Sequence, residues 1–475
     1  MPDRRRLIVG AFMLLLGLGA LRDFLRLGEA APWRGMYDFP DFYCAGLALN
    51  DRASPYTYEP LHTCERRVNS GGAFRSNFFR GSKGIAIPAP LPPYDFVPYM
   101  GLARIRVSTA ARIQAFAILF AVALCVAGLW SLKLPLTVAG AALFLSTACV
   151  ELNAGQVIPF SLLSLVICGV ALYRRNDRAA GFFAALCAME PSVGLPVSVA
   201  TLLFVPRARS AVIATACALA VLAVTLVGWK TVYVYATAVL AAQAASEVHF
   251  PYQYSFTYLL AFVGMSSGAA RVAGAASYFV MLATALALAP ALSRRLGRRE
   301  LLVFFPALCS VVGGTYLHAE ELCFAIPAVV VLAWVTQGVE RTIFTLAACL
   351  LAVPWILVWG EKQLLLPSIF MCAAILVSLQ RDVRVTLSAL AVIATLIYAF
   401  ELRPPRLPAP AVAAHAYSPQ ELVQDEWRPY AESRSTSDPL WLAIKLPTWI
   451  ALLATVGLGA YASRNGRGIA HESRL

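Results

Sequence analysis

The sequence predicts an all-α polytopic membrane protein, and three observations predict it. Of 475 residues, 59% are hydrophobic and 14% charged, against roughly a quarter charged in an ordinary soluble domain. Apolar runs of about 20 residues, the length a helix needs to cross a bilayer, recur from Leu7 to Tyr461. Between them lie short arginine-rich loops. The net charge of +13 is therefore read as positive-inside patterning, and nucleic acid is not expected as a partner.

Each element follows from that pattern. With Arg4-Arg5-Arg6 cytoplasmic, a first transmembrane helix lies within 1–27; no small-x-small cleavage site precedes Arg22, so it is read as retained. Residues 28–108 form an external loop. A transmembrane bundle over 109–400 starts with runs at 110–130, 134–150 and 157–173, returning the chain to Arg174, Arg175 and Arg178. The long stretch 179–205 is read as a broken hairpin, interrupted by Met189-Glu190-Pro191-Ser192-Val193-Gly194-Leu195-Pro196, where two prolines and a glycine oppose a continuous helix. Runs follow at 211–229 and 271–292, with 256–266 expected to lie along the interface. Further runs at 301–317, 322–337, 342–359, 364–379 and 384–400 alternate so that Arg341, Arg381 and Arg384 fall inside. His318, Glu320, Glu321, Glu361 and Lys362 fall outside. A second external segment, 401–440, precedes the last helix and cytoplasmic tail, 441–475, with Arg464, Arg467 and Arg474. The count is about 12–14 crossings.

Nine of the eleven cysteines fall in apolar runs and are read as packing residues. Cys44 and Cys64 share the first external loop, where a disulfide would contribute roughly 3 kcal/mol on a chain-entropy estimate; two free thiols are the alternative. No P-loop, HExxH or paired CxxC occurs, which argues against nucleotide-driven or zinc chemistry. His318 with Glu320 and Glu321, and His249 with Glu247, match no standard metal spacing. Neither metal nor cofactor is expected.

Chemistry-bearing residues gather on the outer face. Asp38 and Asp41 stand three apart among aromatics just past the first helix, where partial desolvation raises carboxylate basicity; either suits a base that takes a proton from a hydroxyl, and either suits a solvated loop acid. Glu151, Asn153 and Gln156, at the outer end of the third run, carry groups able to bind sugar hydroxyls or to cap a helix. Candidate cations for an anionic ligand are His318, His249, Arg104, Lys230 and Lys362.

The pattern from Asp38 through Tyr43, Ala45-Gly46 and Ala48-Leu49 to Pro55-Tyr56 resembles the first external loop of glycosyltransferase family 87. Leu91-Pro92-Pro93-Tyr94 to Arg104, Gly155-Gln156 with the run to Arg174-Arg175, and Ala180-Gly181 to Pro196 resemble that family's later segments. The likeness spans about residues 30–330. It implies a glycosyltransferase-C-like bundle and an inverting transfer of a hexose, mannose above all, from a polyprenyl phosphate to an extracytoplasmic lipid or glycan. It further implies Asp38 as catalytic base with Asp41 as alternative, donor phosphate near His318, Arg104 and His249, and sugar near Glu151, Asn153, Gln156 and Glu190. Where the family pattern has Lys-Pro, this chain has Glu190-Pro191, which leaves the donor's cation open. The expected setting is the inner cell membrane, with both termini cytoplasmic and partners limited to membrane lipids, the lipid-linked donor and the acceptor. The competing reading is a secondary transporter or flippase, because broken helices also build midplane substrate sites.

Overall fold

The computed structural model describes residues 4–28, 35–70, 84–358, 362–380, 382–409 and 415–465. Glu361, Arg381, Arg467 and Arg474 lie outside the described residues. Among the described residues every element is helical, apart from an isolated antiparallel bridge between Thr57 and Leu422.

Helix α1 (Arg4–Gly28) is followed by two short helices, α2 (Phe39–Asn50) and α3 (Tyr58–Ser70). The bundle proper begins with α4 (Val107–Ser131), α5 (Leu136–Ala154) and α6 (Ile158–Tyr173). Next come α7 (Asp177–Leu186) and α8 (Pro191–Phe204), then a long helical run, α9 (Pro206–Ser246), bent at Gly228 where φ is +76°. Short α10 (Phe256–Phe262) leads to α11 (Ser267–Leu296), α12 (Leu301–Ser310), α13 (Glu321–Val335) and α14 (Gly338–Ala352). Helices α15 (Lys362–Leu379), α16 (Val383–Leu402), α17 (Val423–Ser433) and α18 (Leu446–Asn465) complete the order.

Seven of these, α4, α5, α9, α11, α15, α16 and α18, are long and apolar enough to cross a membrane. The chain is an all-α polytopic membrane protein. α9 and α11 turn Val221, Val224, Trp229, Val272, Phe279 and Val280 outward, as helices do when hydrocarbon is the solvent. The centre is occupied instead by two short helices. Every residue of α12 is buried, and in α13 the run Ile326–Ala333 is buried throughout. Small residues bring the neighbours close: a Cβ on Gly169 of α6 would meet the Phe304 ring at 2.2 Å.

The structure corrects three sequence boundaries. The hairpin over 179–205 breaks before Pro191, at the 3-10 turn Cys187–Met189 and the extended Glu190. Pro196 and Gly194 lie inside α8, Gly194 pressed against the Ala188 backbone with its absent Cβ 2.4 Å away. Pro191 takes the first turn of α8, where its missing N–H costs nothing. The run at 211–229 extends as helix to Ser246, carrying the chain to Glu247. The run at 301–317 stops at Ser310, and 311–320 passes as coil along the bundle end, with Gly313 against Ser277 and the Gly314 N–H donating to Ser277 Oγ at 3.0 Å.

Basic loops meet at one end. Arg298 donates to the Leu132 carbonyl at 3.0 Å, Arg299 to Asp177 at 2.8 Å and Arg295 to the carbonyls of Ala462 and Arg464. Thr342 in the first turns of α14 donates to Gln380 just after α15. The opposite end carries α2, α3, α17 and the coil segments. Cys44 and Cys64 form a disulfide between α2 and α3. Gly46 lets α2 lie on residues 97–102, since its Cβ would sit 2.5 Å from the Tyr99 carbonyl carbon and oxygen.

Gly46→Ala should therefore push α2 off that segment and cost about 1–3 kcal/mol, as overpacking of a tight contact does. Thermal unfolding of the detergent-purified protein should show a lowered midpoint; an unchanged one would contradict this packing.

Candidate functional site

At the end opposite the basic loops lies a cavity of about 560 Å³. Its first wall is the entry to α2. The N–H groups of Tyr37 and Asp38 donate to the carbonyls of Asn153 and Ala154 at 3.1 and 2.9 Å, docking this loop onto the end of α5. That docking requires a left-handed residue after α5, and Gly155 supplies it with φ +85°; a Cβ there would stand 2.9 Å from the Cβ atoms of Met36 and Phe39. Gln114 of α4 donates to the carbonyls of Gly155 and Gln156 at 3.2 and 3.3 Å, fixing the turn from behind. The Gln156 amide then donates to Asp38 Oδ2.

The second wall is the break between α7 and α8. Glu190 caps α8, accepting from Ser192 Oγ at 2.7 Å and Ser192 N at 3.4 Å. Tyr94 and Tyr278 hold the break on either side by donating to the carbonyls of Ala188 (2.7 Å) and Ser192 (2.6 Å).

The third wall joins the end of α9, the 311–320 coil and α17. Glu247 accepts from Gln243 (2.8 Å), Gln253 (2.7 Å) and the Trp427 indole N–H (3.0 Å), and pairs with His318 Nε2 at 2.7 Å. Glu321 accepts from the His318 backbone N–H at 2.8 Å, and Glu320 accepts from the Tyr37 hydroxyl at 2.6 Å. This last bond ties the third wall to the first.

Five carboxyl groups line the cavity, those of Asp38, Glu190, Glu247, Glu320 and Glu321, together with the imidazole of His318. Among the described residues, no lysine or arginine lines it. The remaining lining is mostly apolar, including Phe42, Leu91, Met189, Tyr235, Leu240 and Leu357. The cavity is thus amphipathic, with hydroxyl-binding groups beside hydrocarbon-compatible walls.

Burial, followed by the nearby Glu320 charge, pushes the Asp38 carboxyl up to about 8, with the Gln156 hydrogen bond opposing. Burial pulls the His318 imidazole down, but the charge and hydrogen bond of Glu247, with the charges of Glu320 and Glu321, together outweigh it and raise His318 to about 10.

Of the residues singled out in the sequence, Asp38, Asn153, Gln156, Glu190 and His318 line this cavity. Four do not. Asp41 is buried between α2 and α3, where burial first and then the charge of Glu65 on α3 push its carboxyl up; it faces Glu65 and does not line the cavity. Glu151 is fully buried beneath the α5 end, with neither carboxyl oxygen hydrogen-bonded. Arg104 stands exposed in the turn before α4, and His249 meets Ser267 at 2.9 Å beyond the lining. Of the three proposed phosphate partners, only His318 reaches the cavity. The sequence reading gave no site role to Glu247, Glu320, Glu321, Tyr37 or Trp427. The i,i+4 pair Gln243 and Glu247 just before His249 was a signal for the first; Trp427, 180 residues away from Glu247, left none.

No family model, curated protein or solved structure matches the chain.

Infrared difference spectra should show a protonated-carboxyl band that fades as pH rises through about 8 and is missing in Asp38→Asn. In Glu320→Gln, which removes an anionic neighbour, the same transition should move to lower pH. An Asp38 band absent at neutral pH would contradict the site's electrostatics.

Proposed function

We propose that this protein is an inverting membrane hexosyltransferase that moves a sugar, mannose in the first instance, from a polyprenyl phosphate to a lipid or glycan acceptor outside the cytoplasm. The observation that carries the reading is an amphipathic cavity with Asp38 held at its wall. The resemblance of residues 38–56 to the first external loop of glycosyltransferase family 87 points the same way, as does the docking of that loop against Gly155-Gln156. A glycosyltransferase-C-like bundle of about 12–14 crossings in the inner cell membrane, with both termini cytoplasmic, belongs to the same proposal.

The reaction uses few groups. Asp38 accepts the proton of the acceptor hydroxyl as its oxygen attacks the anomeric carbon from the face opposite the phosphate. A carbon–oxygen bond forms there, the bond to the phosphate oxygen breaks, and polyprenyl phosphate departs with that electron pair. His318 is the cation available to the leaving phosphate. The sugar hydroxyls meet Gln156, Asn153 and the carboxylates, and the apolar walls accompany the first units of the polyprenyl chain. A single cation among five carboxylates favours a phosphodiester, which bears one negative charge, over a diphosphate or a nucleotide sugar. A transporter asks for a passage serving both ends of the bundle, whereas the polar lining belongs to one end and Arg295, Arg298 and Arg299 at the other are engaged in loop contacts.

With polyprenyl phosphate mannose as donor and membrane lipid extract as acceptor, Asp38→Asn should lower transfer by about 10²–10⁴-fold, the usual contribution of a general base, without loss of folded protein. The wild-type rate should fall as pH drops below about 8, because the base must be ionised. Undiminished transfer by Asp38→Asn would remove Asp38 from this role, and no transfer of any lipid-linked hexose would overturn the reading.

A further inference from the structure

We infer that Glu247 is a positioning residue: it fixes the ring of His318 and holds it as an imidazolium, and α17 completes this arrangement through Trp427. None of the sequence features that suggested a sugar-transfer site includes Glu247 or α17.

The geometry is a saturated carboxylate. Glu247 Oε1 accepts from Gln243 at 2.8 Å and Trp427 at 3.0 Å, and Oε2 accepts from Gln253 at 2.7 Å and pairs with His318 Nε2 at 2.7 Å. The side chain is 3% exposed. An anion so buried persists only when hydrogen-bonded and paired with a cation. Three neutral donors meet the first condition, and a protonated His318 meets the second.

The donors are themselves anchored. Gln253 Oε1 accepts from the Leu317 N–H at 2.8 Å, so the amide that supports Glu247 also sets the backbone next to His318. The His318 N–H is bound by Glu321. Gln424, one turn before Trp427, donates to Gln243 at 3.3 Å. α17 is in turn fastened to the first loop: Glu426 accepts from the Ala86 N–H at 3.0 Å and pairs with His62 at 3.0 Å, while Val423 N donates to the Tyr56 carbonyl at 3.1 Å. The segment before the last helix is therefore a wall of the cavity, not a tether between spans.

Several groups face His318. Glu247 comes from the end of α9, Glu320 from its own coil, Glu321 from the start of α13, and Asp38 from the start of α2 acts on it through space. The Tyr316 and Phe250 rings flank it at 4.8 and 6.4 Å between centroids. Every charged group in this set is an acid, and all favour the imidazolium. Glu247 alone among them contacts the ring nitrogen, so it dominates. The proton is thereby resident before any ligand arrives, and an incoming phosphate meets a fixed positive donor.

The charge state rests on this geometry alone, while its use in sugar transfer rests on the function proposed above. Two measurements keep these apart. Imidazole ¹⁵N spectra of histidine-labelled protein, with His318 assigned by its loss in His318→Asn, should show the ring still charged at pH 8 and titrating near 10. Glu247→Gln should lower that titration by more than about one pH unit, a tenfold loss of proton affinity. Trp427→Phe, which keeps an aromatic ring but removes one donor from Glu247, should shift it slightly upward, since a less stabilised carboxylate attracts the proton more strongly. Opposite shifts in two folded variants are not produced by general loosening. In transfer assays with polyprenyl phosphate mannose, Glu247→Gln should move the alkaline fall in rate to lower pH while Trp427→Phe mainly raises KM for the donor. A His318 that titrates near its ordinary value of about 6.5 in the wild type, or is indifferent to Glu247→Gln, would overturn the inference. The expected spectra with no transferase activity would leave it standing and remove only the proposed function.

Discussion

The arrangement of this cavity depends on how the chain returns to α5 after its first helix. The two backbone hydrogen bonds from Tyr37 and Asp38 to the carbonyls of Asn153 and Ala154 join segments more than a hundred residues apart. They form only because Gly155 takes a left-handed conformation that leaves space for Met36 and Phe39. With that contact made, Gln156 reaches Asp38, Tyr37 reaches Glu320, and the three walls enclose one space. A side chain at position 155 would lose both the permitted φ and the clearance, and every other feature of the site would lose its reference point.

Charge is the second organising constraint. A cavity with five carboxyl groups and, among the described residues, no lysine or arginine in its lining is an unfavourable place for further negative charge unless some of those groups are neutralised or saturated. The structure does both: Asp38 has its carboxyl pushed up by burial and Glu320, and Glu247 is occupied by three neutral donors and His318. Under the proposed function, these groups meet the sugar hydroxyls and the imidazole meets a single phosphate. Glu190 caps α8 through Ser192.

Much of this architecture was legible in the sequence, because apolar run length and arginine loops report directly on solvent. The short buried helices were harder. α12 is apolar on all sides, so periodicity marks no end, and the stop at Ser310 is set by tertiary contacts of Gly313 and Gly314 with Ser277. Asp38 and Gln156 were visible because each follows a span in a polar, aromatic setting. Asp38 and Asp41 were inseparable on sequence alone, since three residues of an undefined loop fix no direction; the docking of α3 separates them, with Asp41 facing Glu65 and Asp38 lining the cavity. Arg104 and His249 were chosen for charge and side of the membrane, which says nothing about which way a side chain points. Trp427 was invisible, as its partner lies 180 residues away and nothing local distinguishes it from an interfacial tryptophan.

The central claim is that this cavity holds a lipid-linked sugar with its anomeric carbon facing Asp38. A structure of the protein with a non-hydrolysable polyprenyl phosphonate analogue of a hexose tests it most directly. The account predicts the sugar between Asp38 and Gln156, the phosphonate beside His318, and the first isoprene units along Leu240 and Leu357. A lipid bound elsewhere on the bundle, or a water-filled path continuing from the cavity to the arginine-lined end, would contradict it.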